Sequence, residues 1–182
     1  RMSGVNLNHF NSILTEEEKK PRLEKWFNID KYSNTIAFWP FAGYNKQPNR
    51  SPSFKWYFDL IFKLYNLGYT VFHFGHYNEP EFFDKGDCNY CNYTKLPFVE
   101  QIRLSLGCSF AINSDSGSGI CLGAYGFPQI SLLIKNAPNH ITNLDAFGIL
   151  NYNNANINLL GLEGQDSIKI EDVLEAIKQL NE

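Results

Sequence analysis

The residues best equipped for chemistry lie at 113–120, NSDSGSGI, which gather one acid, three serines and two glycines. An apolar run, CSFAI at 108–112, precedes them, and a small-residue run, CLGAYG at 121–126, follows, with Pro128 beyond. The order predicts a buried strand, a tight polar turn and a helix stopped by Gly126. A turn of this kind at the carboxyl end of a strand is a seat for anions. Unpaired backbone N–H groups and the positive end of the helix dipole face the same point. The same residue types also make plain strand-to-helix connections, in which Asp115 only caps the helix.

Other elements must hold that turn in place. Residues 35–39, TIAFW, form an unbroken apolar run ended by Pro40, the pattern of a strand buried on both faces. Residues 41–52 are rich in Gly, Asn and Pro and predict a loop long enough to carry function. Ser53 can cap a helix over 54–66, with Trp56, Leu60, Phe62, Leu64 and Leu67 on its apolar stripe and Gly68 as its stop. Residues 69–74, YTVFHF, predict the next buried strand, in which His73 packs in the core, while His76 just past its end is placed to touch a ligand. A polar region at 76–95 leads into a helix at 96–106, and Phe110 lies in the third strand. QISLLI at 129–134 predicts a fourth, and 157–160 a short fifth. Residues 168–180 are an amphipathic helix with acids early and Lys late, and 15–27 a short surface helix interrupted at Pro21. Residues 135–156 are Asn-rich and weakly patterned.

Strands alternating with helices, without polar alternation inside the strands, predict a three-layer, doubly wound parallel sheet of the Rossmann-like α/β class. We expect a single α/β domain over 1–182, with 1–33 as an entry segment carrying the short helix. The 182 residues, 43% hydrophobic and 19% charged, suffice for one real core. A net charge of -3 offers no basic field for nucleic acid and no polybasic face for a membrane. No apolar run approaches the length of a transmembrane segment. Residues 1–34 are polar, with no secretory signal, and the opening reads as a cut from something longer. The four cysteines are therefore expected as free thiols. A zinc site built on Cys88 and Cys91 lacks obvious partners, because Cys108 falls in a predicted strand and Cys121 in a predicted helix.

Parallel sheets of this class bind ligands at the carboxyl ends of their strands. That rule selects the loops at 40–43, 75–79 and 114–118, which combine glycines for close backbone approach with polar groups suited to phosphate, ribose or base. None is a phosphate loop ending in Gly-Lys-Ser, none has the Gly-x-Gly-x-x-Gly fingerprint, and residues 116–119 lack the register of a serine-hydrolase elbow.

Four segments together resemble a known family: TIAFWPFAG at 35–43, Lys55 with Trp56, VFHFG at 71–75, and DSG followed by CLGAYGFP across 115–128. They are similar to the heptosyltransferase-like glycosyltransferases of glycosyltransferase family 9. These are two-lobed GT-B enzymes of lipopolysaccharide and capsule synthesis. The likeness is to the C-terminal, nucleotide-sugar-binding lobe; it covers about 34–134, and the terminal helix also fits. It implies inverting transfer from a nucleoside-diphosphate sugar to a glycan or lipopolysaccharide-type, lipid-linked acceptor, with no cofactor and no required metal. Ala42 and Gly43 would form the phosphate-facing loop. Lys55 would neutralise the diphosphate; the register is off by one, with Phe54 at the family's Lys position, so Lys46 and Arg50 are alternatives. Glu79 would meet the ribose hydroxyls. Asp115, Ser116, Gly117 and Ser118 would meet the diphosphate and sugar. The family's His three residues after the glycine is Ile120 here, which puts one donor contact in question. The resemblance also places the general base and acceptor pocket in an N-terminal lobe, so no catalytic residue is expected in this chain. It implies a cytoplasmic location, the inner-membrane surface included. A non-catalytic nucleotide- or sugar-phosphate-binding module is the alternative.

Overall fold

The computed structural model describes residues 31–42, 50–83, 89–134, 156–162 and 166–181. The helix expected at 15–27, Gly43, Lys46, Cys88 and the Asn-rich 135–155 lie outside the described residues. In chain order the elements are β1 (Thr35–Trp39), α1 (Phe54–Asn66), β2 (Thr70–His73), β3 (Tyr90–Asn92), α2 (Phe98–Gly107), β4 (Phe110–Ser114), α3 (Gly117–Ala124), β5 (Gln129–Ile134), β6 (Asn156–Gly161) and α4 (Ile170–Asn181). Six strands pair in the order β3-β2-β1-β4-β5-β6. Every pairing is parallel. The α/β, doubly wound, Rossmann-like expectation therefore holds.

The two faces of the sheet follow from period-two alternation along buried strands. Ile36 and Phe38 of β1, Phe110 and Ile112 of β4, and Ile130, Leu132 and Ile134 of β5 pack in one cluster with α1 and α4. Ala37, Trp39, Phe72 and Ala111 point the other way, into a cluster with Ile102 and Leu106 of α2 and Leu122 of α3. Each buried aliphatic or aromatic side chain contributes about 1.5–3 kcal/mol to folding before entropy is counted. Both sides of the sheet are thus covered, which is why β1, β4 and β5 read as continuous apolar runs. Ser53 caps α1 as expected, its hydroxyl accepting the Trp56 N–H at 3.2 Å. Gly68, with φ of 84°, supplies the left-handed turn that ends the helix.

β3 was not foreseen. It is three residues long and half-buried throughout, so it has no apolar run to announce it. It forms an edge of the sheet, paired through Val71, Phe72 and His73. The chain order reverses between β1 and β4, whose carboxyl ends lie side by side with Trp39 opposite Asn113. Loops leaving these two strands diverge, and that divergence opens the crevice where ligands bind in doubly wound folds.

Candidate functional site

A cleft of about 550 Å³ opens at these strand ends. Trp39 and Phe41 form its floor from the end of β1, and Gly75, His76 and Glu79 one wall from the loop after β2. Gly117, Ser118 and Cys121 of α3 form the opposite wall, with Leu96, Phe98 and Gln101 closing the side. The structure therefore brings Glu79, Gly117 and Ser118 to one cavity from two separate loops.

The α3 wall is set by buried polar packing. Asn113 donates to Gln129 Oε1 at 2.7 Å, Gln129 donates to the Gly119 carbonyl at 3.1 Å, and Ser131 donates to Asn113 Oδ1 at 3.3 Å. A side chain on Gly119 would overlap the Asn113 amide, so only glycine lets the helix come this close to β4. At the helix start Ser116 is extended, and its hydroxyl makes no bond to a helix N–H. It pairs with Ser118 Oγ at 2.7 Å instead. The first turn of α3 thus faces the cleft without a side-chain cap, with its dipole positive end outward.

The β2 wall is built around Glu79, which is buried. Its Oε1 accepts the His76 N–H at 2.9 Å, and Oε2 lies 3.3 Å from His73 Nε2. His73 Nδ1 lies 2.6 Å from the Tyr90 hydroxyl, which in turn accepts the Phe82 N–H at 3.3 Å. A carboxylate only accepts, so one tautomer satisfies every group: Nε2–H donates to Glu79 and Nδ1 accepts from Tyr90. Burial raises the Tyr90 phenol well above its ordinary value, with Glu81 and Glu79 adding to the shift, so it stays a neutral donor. Gly75 lies beneath Glu79 with φ of 150°, and any Cβ there would overlap the carboxylate. Gln101 fixes that glycine from α2, accepting its N–H at 2.8 Å and donating to its carbonyl at 3.0 Å.

The remaining expected residues fall around this frame. Asp115 is fully buried, and Arg50 donates to its Oδ2 at 2.6 Å from the loop after β1. Ala42 is buried and gives its N–H to Ser51 Oγ at 2.8 Å. Lys55 does not join the group: it is 82% exposed on α1 and pairs with Asp59 at 2.6 Å, one turn along the same helix. His73 and Trp56 are core residues, as read from the sequence. Sequence reasoning missed Gln101 and Tyr90. For Gln101 a signal existed, a polar residue on the same helical face as Ile102 and Ser105. Burial raises the thiol of Cys121 in the cleft, and that of Cys108 is pushed up to about 12 for the same reason. Among the described residues no group of three or more His, Cys, Asp or Glu is arranged to hold a metal ion.

No family model and no curated protein sequence matches the chain. Solved structures do. The chain is similar to the E. coli ADP-heptose lipopolysaccharide heptosyltransferase II, with 18% identity over 92% of this chain and 52% of that one and a TM-score of 0.61. It is similar to the E. coli heptosyltransferase WaaC solved with ADP, with 13% identity over 86% and 48% and a TM-score of 0.64. A family 9 glycosyltransferase from Veillonella parvula gives 12% identity over 92% and 52%, with a TM-score of 0.56. The fold is that of about half of a heptosyltransferase. At these identities the likeness speaks for architecture, and the chain spans about half the length of these three structures. No helix among the described residues is long and apolar enough to cross a membrane.

Proposed function

We propose that this chain is the donor-binding lobe of a GT-B glycosyltransferase, the half that holds a nucleoside-diphosphate sugar. The observation that carries the reading is the uncapped first turn of α3 facing Glu79 across one cleft at the switch point of the sheet. One wall offers N–H groups for phosphate and the other a carboxylate for hydroxyls, which is the polarity of a sugar nucleotide. The heptosyltransferase fold supports it, and one such enzyme was solved with ADP.

In this reading Ser116, Gly117 and Ser118 meet the diphosphate, with Ala42 and Gly43 along its edge, and Glu79 accepts from the ribose. When the bond between the anomeric carbon and the leaving phosphate oxygen breaks, its electron pair stays on that oxygen, and the added negative charge grows beside the positive end of α3. Fixed N–H groups that need no reorganisation stabilise that charge more than the ground state, which lowers the barrier. Deprotonation of an acceptor hydroxyl falls to a second lobe, since the chain covers about half of each enzyme it resembles. A glycan or lipid-linked acceptor would be bound there too.

Calorimetric titration with ADP, GDP and UDP, each with and without its sugar, tests the reading. Saturable binding that is weakened by Glu79→Ala and by Gly117→Pro supports it, and no binding of any of them rejects it. The alternative, a nucleotide- or sugar-phosphate-binding module without catalysis, rests on Ile120 at the position where the family has His. Product formed when the chain is joined to an acceptor-binding lobe decides between the two.

A further inference from the structure

We infer that Gln101 is a positioning residue for the nucleoside end of the cleft, its side-chain amide clasping two loops and fixing the gap between them. The inference rests on the donor-lobe reading and deepens it. Gln101 is 3% exposed on α2, and a buried amide is costly unless its groups are bonded. Its Oε1 accepts the Gly75 N–H at 2.8 Å, and its Nε2 donates to the Gly75 carbonyl at 3.0 Å. The same nitrogen donates to the Leu96 carbonyl at 2.8 Å and reaches the Thr94 carbonyl at 3.4 Å. An amide has two N–H groups, so this one is fully occupied by the backbones of two connections. One follows β2 and the other joins β3 to α2.

Both connections line the cleft, the first with Gly75 and Glu79, the second with Thr94 and Leu96. On the first, the clasp reaches Glu79 directly, because Gly75 lies against that carboxylate with no room for a side chain. The clasp also has a fixed base. Ser105, one turn along α2, donates to the Gln101 carbonyl at 2.8 Å and accepts the Trp39 indole N–H at 3.1 Å. Trp39 ends β1 and forms the cleft floor, so the amide is held in register with the centre of the sheet. A hydrogen bond weakens steeply once its geometry slips, so a ribose hydroxyl bonded to Glu79 depends on this placement. The first turn of α3 does not. It is set from the other side, through Asn113 and Gln129.

The test compares the whole chain with Gln101→Met and Gln101→Asn. Each is titrated with whichever of ADP, GDP and UDP binds best, and that nucleotide is then displaced with its nucleoside and with inorganic pyrophosphate. Gln101→Met fills the space without a polar group and should weaken the nucleoside about 10-fold, while pyrophosphate changes less than about 3-fold. Gln101→Asn keeps the amide one methylene short of both loops and should shift the two probes in the same unequal way, by less. Amide hydrogen exchange reads the clasp with no ligand present. In Gln101→Met the Gly75 and His76 amides should exchange about 10-fold faster or more, and that of Ile120 in α3 as before. Equal weakening of nucleoside and pyrophosphate would mean a general loosening and overturns the inference. Unchanged nucleoside affinity does the same, and so does failure of both variants to fold, which would make Gln101 a support of the whole domain. If the unaltered chain binds no nucleotide, the donor-lobe reading falls and the nucleoside assignment with it. Exchange at Gly75 still reports on the clasp, so the two failures are told apart.

Discussion

Two carboxylates are buried at the strand ends around the cleft, and the chain accommodates them in opposite ways. Asp115 is met by a full positive charge, the Arg50 guanidinium at 2.6 Å. Glu79 is met by hydrogen bonds, from a peptide N–H and from the ring of His73, which is itself held by a phenol. One arrangement balances charge; the other satisfies hydrogen bonds and leaves an acceptor-rich surface. The first suits a neighbour that is anionic, the second a neighbour made of hydroxyls. On the donor-lobe reading this difference orients the ligand, with diphosphate toward α3 and ribose toward the loop after β2.

The largest expected effect lies on the Glu79 side. Gly75→Ala places a methyl where the Glu79 carboxylate now lies, on a backbone whose φ of 150° only glycine adopts easily. The combined strain and displacement should cost about 3 kcal/mol, or roughly 6–12 °C in Tm for a chain of this size. A melt within about 2 °C of the parent would show that Glu79 is loosely held and that the two carboxylates do not differ in the way described.

The contrast in partners gives the next test. Asp115→Asn puts a neutral amide where a carboxylate meets a partly buried guanidinium and should cost about 2 kcal/mol, below the usual range for a buried pair because Arg50 is in part exposed. Glu79→Gln keeps an acceptor for the His76 N–H and leaves His73 able to change tautomer, Nε2 then accepting from the new amide and Nδ1–H donating to the Tyr90 oxygen, for about 1 kcal/mol. Urea denaturation measures both. Equal losses would erase the distinction between charge balance and hydrogen-bond satisfaction.

Alkaline pH reaches the Glu79 side through Tyr90. Burial raises the Tyr90 phenol, so above its ordinary value near 10 the unfolded chain releases the proton first and the native state binds more protons. The contribution of Tyr90 is therefore intact below about pH 10 and is lost as pH rises further, by at most about 1.4 kcal/mol per unit. Tyr57 shifts the same way, chiefly through burial, and Cys108, raised to about 12, begins to contribute from about pH 8.5–9. Urea midpoints from pH 7 to 11 should fall less steeply above pH 10 in Tyr90→Phe, and with unchanged slope in Asp115→Asn. A slope that Tyr90→Phe leaves untouched would mean that the phenol does not support the His73–Glu79 chain.

Much of this architecture was readable from residue order. β1 and β5 match their expected bounds because strands buried on both faces are written as unbroken apolar runs, TIAFW and QISLLI. The turn at Asp115 announced itself through its small residues. β3 did not, since a half-buried edge strand needs no apolar stretch. Glu79 looked like loop surface beside Pro80 and Glu81; its burial depends on Gly75 making room and on His73 and Tyr90, none of which its own neighbours in sequence reveal. The pairing of Arg50 with Asp115 spans 65 positions and follows only from the adjacency of β1 and β4. Propensity and periodicity describe elements one at a time, and a site assembled from the ends of several is fixed by their order in the sheet.

The smallest expected effect belongs to Lys55, the cation that the family resemblance favoured. Its side chain is 82% exposed and pairs with Asp59, an i,i+4 pair on a helix surface. Such a pair contributes about 0.3–0.5 kcal/mol, and less as salt rises. Lys55→Ala should therefore shift the urea midpoint barely beyond error, and raising ionic strength should abolish even that difference. The same variant should leave diphosphate affinity within about 2-fold, as for a solvated surface pair. A stability loss above about 1 kcal/mol would require contacts beyond the Asp59 pair. A large drop in affinity would instead mean that the side chain leaves Asp59 and crosses to the cleft when ligand arrives.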